Sequence, residues 1–173
     1  ALDPRRKAAV LPLDSLTGFE GLNLELVSVN ETAVSDLSPL ASMSKLTELR
    51  IMETKVTDLR PLAKLRALQN LDARDTGVRD LAPLSSLPLV ELSVAYSPVS
   101  SLEPLRNMRT LEDLDVGSTN VRSLEPIADL PRLQRLSSDG SLVPKAELDA
   151  LREARPSMHI HHVYSSSHPL EFD

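Results

Sequence analysis

The sequence has no cysteine and no tryptophan, and only 2% of its 173 residues are aromatic. The absence of cysteine excludes disulfide bonds, thiol nucleophiles and zinc sites with cysteine ligands. No run approaches the ~18 consecutive apolar residues of a membrane-spanning helix, so we expect no membrane insertion. The motifs HExxH, GxGxxG, GxxxxGK[ST] and GxSxG are also missing. Zinc protease, nucleotide-binding and serine hydrolase functions therefore have no support in the sequence.

The charge balance is acidic, with a formal net charge of −6 at pH 7. An excess of negative charge argues against binding to nucleic acid or to an anionic membrane surface. The chain opens with Ala1 and shows no signal-peptide pattern. We therefore expect an excised domain or a processed product.

Leucine is abundant, with 33 residues, and much of it falls in an internal repeat. Segments such as TKVTDLRPLAKL (54–65) and TGVRDLAPLSSL (76–87) align without gaps. Their shared proline recurs at steps of 22, 22, 21 and 22 residues, at Pro39, Pro61, Pro83, Pro104 and Pro126. A fixed period of this length is typical of a solenoid, in which each repeat stacks on its neighbours.

The runs between these segments predict short β-strands. In LQNLDARDT (68–76), for example, Leu stands at the first and fourth places and a small residue at the sixth. Places four and six alternate as in a strand that buries one face. An Asp or Ser three residues before each proline favours an N-capped turn. We expect this turn to be a 3₁₀ or single-turn helix, because only about seven residues are available.

The pattern L-x-x-L-x-L-x-x-T-x-V-x-D-L-x-P-L-x-x-L resembles the 22-residue leucine-rich repeat of bacterial internalin-type proteins. The resemblance covers roughly residues 22–143. It implies an α/β fold: a right-handed solenoid with a parallel concave β-sheet, short 3₁₀ turns on the convex side and a helical C-terminal cap. The family usually has Asn after the strand, where this chain has Thr or Ser. We expect these hydroxyl groups to bridge neighbouring turns.

The flanks predict caps that cover the apolar ends of the solenoid. We assign residues 1–21 to an N-terminal cap, 22–143 to about five full repeats, 144–164 to a C-terminal helix and edge strand, and 165–173 to a tail. The N-terminal cap would place an irregular apolar run over the first strand, consisting of Leu11, Leu13, Leu16, Phe19 and Leu22.

The concave side is the candidate binding surface. The third, fifth and seventh places of each strand segment point into it, and the eighth lies at its rim. These places are acidic overall, so we predict a protein partner with a basic patch. The predicted contact residues are Glu48, Arg50, Met52, Asp72, Arg74, Glu91, Ser93, Tyr96, Asp113, Asp115, Arg135 and Asp139. The alternative is a solvated sheet face on which Arg50 and Arg135 neutralise Asp72 and Asp113.

A second class of function would use the same carboxylates or the late histidines. Asp113 and Asp115, beside Glu91, could share a proton for acid/base work or hold Ca²⁺. His159 and His161 could bind a metal with Glu171 or Asp173 as a third ligand. A flat sheet does not exclude water from a reaction, so we favour a module without catalytic activity, cofactor or bound metal.

The resemblance allows two settings. Internalin-like proteins act as adhesion ligands at the cell surface, whereas similar repeats occur in cytoplasmic regulatory subunits. No Ig-like domain or wall-anchoring signal follows the repeats, which favours a cytoplasmic scaffold or regulatory unit. We also expect a monomer. A third possibility is that the segment is only a spacer within a longer chain.

Overall fold

Eight short parallel strands form one continuous sheet. A computed structural model of the chain describes residues 14–163 and the backbone of the strand at 8–10. Each strand pairs with the next in chain order, so no strand crosses over another. The strands are β1 (Ala8–Val10), β2 (Leu26–Ser28), β3 (Glu48–Arg50), β4 (Asn70–Asp72), β5 (Glu91–Ser93), β6 (Asp113–Asp115), β7 (Arg135–Ser137) and β8 (His159–His161). The parallel solenoid predicted from the repeat is confirmed.

The leucine at the middle of each inner strand builds the core. Leu71 lies in register with Leu49 on one side and Leu92 on the other, and all three are buried. The valine after each of the strands β2 to β7 also turns inward, as at Val56 and Val78, which are fully buried. Stacked identical columns place every interior side chain against its counterparts in the neighbouring turns, so a single apolar core runs the length of the solenoid.

Five 3₁₀ helices form the convex side, as predicted, and each carries the repeat proline in its first turn. They span Ser38–Leu40, Arg60–Leu62, Ala82–Leu84, Glu103–Leu105 and Glu125–Ile127. The N-cap of each helix is a leucine, and the Asp or Ser predicted to be the N-cap stands one place earlier, two places before the helix. Asp80 Oδ1, for example, accepts a hydrogen bond of 2.8 Å from the Ala82 N–H. This N–H has no partner within the helix, so the carboxylate satisfies it.

The hydroxyl column after the strands behaves differently from the prediction. Thr54 and Thr119 donate to the carbonyl three residues earlier in their own turn, at 2.7 Å in both cases. Within this column of residues 32–141, side-chain bonds between neighbouring turns involve only Ser97, which bonds to Thr76 and to the Ala73 carbonyl. The expected stitching was therefore wrong for most turns. A hydroxyl has a single donor, and the local carbonyl already occupies it.

Apolar side chains close both ends of the solenoid. Leu16 and Phe19 are buried at the N-terminal end, but Leu22 is 44% exposed and does not cover the first strand as expected. Leu11 and Leu13 lie outside the described residues. At the other end, helix α1 (Lys145–Ala154) buries Leu148 and Leu151 against the last repeat. The helical C-terminal cap is thus confirmed, whereas the four segment boundaries stay predictions. The tail at 165–173 lies outside the described residues.

Two contacts attach α1 to the repeats. Glu147 Oε2 accepts a hydrogen bond of 2.6 Å from the backbone N–H of Leu124. The Arg155 guanidinium, just after the helix, donates to three backbone carbonyls of the last convex turn, those of Ala128, Leu130 and Leu133. Neither contact could be found from the repeat pattern, because Glu147 and Arg155 lie outside the repeats. No helix in the described part of the chain is long and apolar enough to cross a membrane.

Candidate binding surface

The concave face of the sheet gathers most of the predicted contact residues. We call the residues that line this open hollow the concave surface. Nine of the twelve predicted residues belong to it: Glu48, Arg50, Asp72, Arg74, Glu91, Ser93, Asp113, Asp115 and Arg135. Met52, Tyr96 and Asp139 lie beyond the strand ends. Glu48 is buried, with only 8% of its surface exposed, so it offers little area to a partner.

Each of the three arginines on this surface pairs with one carboxylate. Arg135 lies 2.6 Å from Asp113, as the solvated-face alternative expected. Arg50 instead pairs with Glu48 on its own strand, at 2.5 Å, and Asp72 is bound by Arg74 at 2.7 Å. The expected pairing of Arg50 with Asp72 was therefore wrong. The two residues of each same-strand pair are two places apart, so their side chains share a face.

These contacts also shift the acid–base behaviour of the arginines. The hydrogen bond to Asp72 is the main cause that raises the pKa of Arg74, and the charge of Asp115 adds to it. The hydrogen bond to Asp113 is the main cause that raises the pKa of Arg135, with a further contribution from the charge of Glu91. Both guanidinium groups therefore stay positively charged, and their charge stabilises the ionised form of the neighbouring carboxylates.

Two carboxylates in the middle of the surface, those of Glu91 and Asp115, accept hydrogen bonds from polar groups. Asn70 Nδ2 donates to Glu91 Oε2 at 3.3 Å. Ser93 Oγ and the Gly117 N–H donate to Asp115 at 3.2 and 3.0 Å. Among the described residues, no lysine or arginine ion pair involves either carboxylate. Glu91 also stands opposite Asp113 in the β5–β6 register, as predicted. The negative charge of the surface is therefore concentrated on β5 and β6.

A rim of left-handed backbone follows the strands. The residue at the eighth place has a positive φ in each of five turns, between 51° and 58°, at Glu31, Glu53, Asp75, Tyr96 and Ser118. In the sixth turn Gly140 stands there with a φ of 64°. Tyr96 is 67% exposed on this rim. Sequence reasoning placed Tyr96 at the rim but missed the backbone conformation, for which Gly140 was the only signal.

One of the late histidines, His161, contacts an aspartate of the preceding turn. His161 Nδ1 lies 2.5 Å from Asp139 Oδ2, and Asp139 Oδ1 accepts a hydrogen bond of 2.5 Å from the Val163 N–H. His159 pairs in register with Arg135, and the positive charge of this arginine disfavours a metal ion at His159. No group of three His, Asp or Glu residues in the described part of the chain could hold a metal ion. Glu171 and Asp173 lie outside the described residues.

The geometry does not resemble a catalytic site. The hollow is open, and Asp113 and Asp115 are partly exposed on it. Acid/base catalysis by paired carboxylates depends on a site that removes them from water and separates their pKa values. An extended, charged and open face is instead the usual form of a solenoid's recognition surface.

Comparison with solved structures identifies the repeat class. No protein-family model and no curated protein matches the chain. An internalin (inlF) from Listeria monocytogenes is 31% identical with a TM-score of 0.72, and the match covers 83% of this chain and 43% of the internalin. The chain is a leucine-rich-repeat solenoid with internalin-type repeats. This confirms the family resemblance found in the sequence, and the chain spans less than half of that relative.

Two further bacterial structures share the leucine-rich-repeat solenoid. Internalin C2 from Listeria monocytogenes has a TM-score of 0.76 at 23% identity, over 86% of this chain and 66% of that one. A leucine-rich-repeat protein from Leptospira interrogans has a TM-score of 0.60 at 17% identity, over 87% and 48%. At these identities the similarity establishes the fold alone. Leucine-rich-repeat solenoids of this kind are typically non-enzymatic protein-binding modules.

Proposed function

We propose that this leucine-rich-repeat solenoid is a non-catalytic protein-interaction module that binds a basic patch of its partner through the concave surface. The observation that carries the proposal is the central pair of carboxylates, Glu91 and Asp115, which form hydrogen bonds to polar groups but no direct ion pair with a lysine or arginine of the described residues. A partner lysine or arginine would supply that direct ion pair. The three internal arginine pairs hold the rest of the surface in place and lower its self-repulsion.

The electrostatics favour rapid and salt-sensitive binding. Clustered charge of one sign steers an oppositely charged partner and raises the association rate more than the final affinity. Because the carboxylates are partly exposed, salt screens them over about 8 Å at physiological ionic strength. We propose a scaffold or regulatory role for the module, with surface adhesion of the internalin type as the alternative.

The test is an affinity capture from lysate of the source cells, quantified by mass spectrometry. The bait is wild type, the double variant Glu91→Lys/Asp115→Lys, or the control Asp129→Lys/Glu153→Lys. Asp129 and Glu153 are exposed and do not line the concave surface, and both variants change the net charge equally. We expect a protein that wild type and control retain and that the concave variant loses.

The capture also has a contradicting outcome. Recovery of the same proteins with all three baits would place the interface elsewhere or leave the segment a spacer. Circular dichroism of each bait before capture verifies that both double variants keep the fold.

A further inference from the structure

The arrangement of Asp75 and Tyr96 points to the kind of cation that the partner presents. The Asp75 N–H donates at 2.9 Å to the carbonyl of Ala95, the residue before Tyr96. The two rim residues therefore lie on neighbouring turns, about 5 Å apart at the backbone. The Asp75 side chain is exposed, and so is the Tyr96 ring. An exposed carboxylate and an exposed aromatic ring thus follow neighbouring strands at the edge of the acidic concave surface.

The fold itself gives no reason for a tyrosine at this place. The ring is 67% exposed, so it contributes little to the core. Its backbone has a φ of 58°, a conformation that is unfavourable for a bulky residue and natural for glycine. Gly140 occupies the equivalent place in the sixth turn. Because strained residues cluster at functional sites, an exposed aromatic residue in this conformation indicates a role in binding.

We propose that Asp75 and Tyr96 together bind an arginine side chain of the protein partner. This inference rests on the proposed function and names the group that docks at the rim. A guanidinium is planar, so it can form two parallel hydrogen bonds to the Asp75 carboxylate while it stacks on the Tyr96 ring. A lysine ammonium is compact and strongly hydrated, and it cannot do both. The pair therefore selects arginine over lysine.

The experiment titrates the ¹⁵N-labelled chain with an acetylated Gly-Arg-Gly amide and follows the backbone amides by NMR. The lysine peptide and the uncharged citrulline peptide are the matched probes. We expect the arginine peptide to bind about threefold more tightly than the lysine peptide. The largest shifts should fall on Asp75, Tyr96 and Ser118, and the citrulline peptide should show the weakest binding of the three.

Variants separate a binding role from a structural one. Tyr96→Gly and Asp75→Asn should each reduce arginine binding to the level of the lysine peptide. Tyr96→Gly should do so without lowering the melting temperature, because glycine relieves the positive φ. The control Glu31→Gln removes one rim charge two turns away from Asp75 and should leave the preference for arginine unchanged.

Three results would overturn the inference: equal binding of the arginine and lysine peptides, unchanged arginine binding in Tyr96→Gly, or no saturable binding of the arginine peptide. The capture experiment keeps the two proposals apart. A partner that Tyr96→Gly retains and Glu91→Lys/Asp115→Lys loses contradicts the arginine site alone. A partner set that neither variant changes contradicts the concave interface itself.

Discussion

The carboxylate of Glu147 on α1 accepts a hydrogen bond of 2.6 Å from the backbone N–H of Leu124, immediately before the last 3₁₀ helix. Leu124 is 2% exposed, so this N–H has little access to water. The contact therefore joins the C-terminal cap to the convex side of the solenoid through one backbone donor.

Glu147→Ala should lower the free energy of unfolding by about 1–3 kcal/mol, because it leaves the Leu124 N–H buried without an acceptor. Glu147→Gln keeps a side-chain carbonyl at the same place and should lose less. Urea unfolding of the three proteins measures the difference. Equal stability of Glu147→Ala and wild type would show that the contact does not hold the cap.

Arg155→Lys should also destabilise the cap, since an ammonium cannot reach three carbonyls that lie in a fork around the guanidinium. We expect a loss of about 1–3 kcal/mol in the free energy of unfolding. Arg152→Lys, three residues earlier and within α1, is the matched control, because Arg152 is exposed and its ion pair among the described residues is the one with Asp149, at 3.4 Å. Its effect should stay under about 0.5 kcal/mol.

The sequence predicts the strands, the 3₁₀ helices and the inner columns, because each follows from a period that repeats along the chain. Leu71, for instance, is buried because it faces inward from its strand, as do the equivalent leucines Leu49 and Leu92 in the neighbouring turns. The contacts of Arg155 and Glu147 could not be predicted in this way, because each residue occurs once and its partner lies more than 20 residues away in the chain. The pairing of Arg50 with Glu48 rather than Asp72 depends on side-chain conformation, which no spacing rule fixes.

Ser97→Ala tests the hydroxyl bridge between turns in the Thr/Ser column that follows the strands. Ser97 is 2% exposed, and its Oγ accepts from the Thr76 N–H at 3.2 Å and donates to the Ala73 carbonyl at 3.1 Å. Removing it leaves a buried donor and acceptor, so we expect a loss of about 1–3 kcal/mol in unfolding free energy.

Ser141 is the matched control for Ser97. Its Oγ is buried and, within the described part of the chain, has no hydrogen-bond partner. Ser141→Ala therefore removes an unsatisfied polar atom and should leave thermal stability unchanged or slightly higher. A larger loss for Ser141→Ala than for Ser97→Ala would contradict the hydrogen-bond assignment of the column.

Leu71→Ala tests the register of the core columns. Leu71 is 2% exposed between two buried leucines, so truncation creates a cavity and should cost about 2–5 kcal/mol. Lys64→Ala, at an exposed position that follows a 3₁₀ helix, should cost under about 0.5 kcal/mol. Denaturant unfolding distinguishes the two, and similar values would be inconsistent with an inward-facing Leu71.

Acid should destabilise the solenoid through carboxylates at its 3₁₀ helices that accept hydrogen bonds from arginines. The hydrogen bond from the Arg60 side chain, followed by that from the Arg60 backbone, holds the pKa of Asp58 below its usual value, and Arg106 does the same for Glu103. A carboxyl group with a lower pKa in the folded state adds stability above its unfolded pKa of about 4, and this stability is lost as the pH falls through the folded pKa.

The melting temperature should therefore fall between about pH 4 and pH 2. Asp58→Asn keeps a carbonyl acceptor for the Arg60 N–H but cannot titrate, so its melting temperature should fall less steeply over the same range. Thermal unfolding followed by circular dichroism at several pH values gives both slopes. Parallel slopes for the two proteins would mean that Asp58 is no more acidic in the folded chain than in the unfolded one.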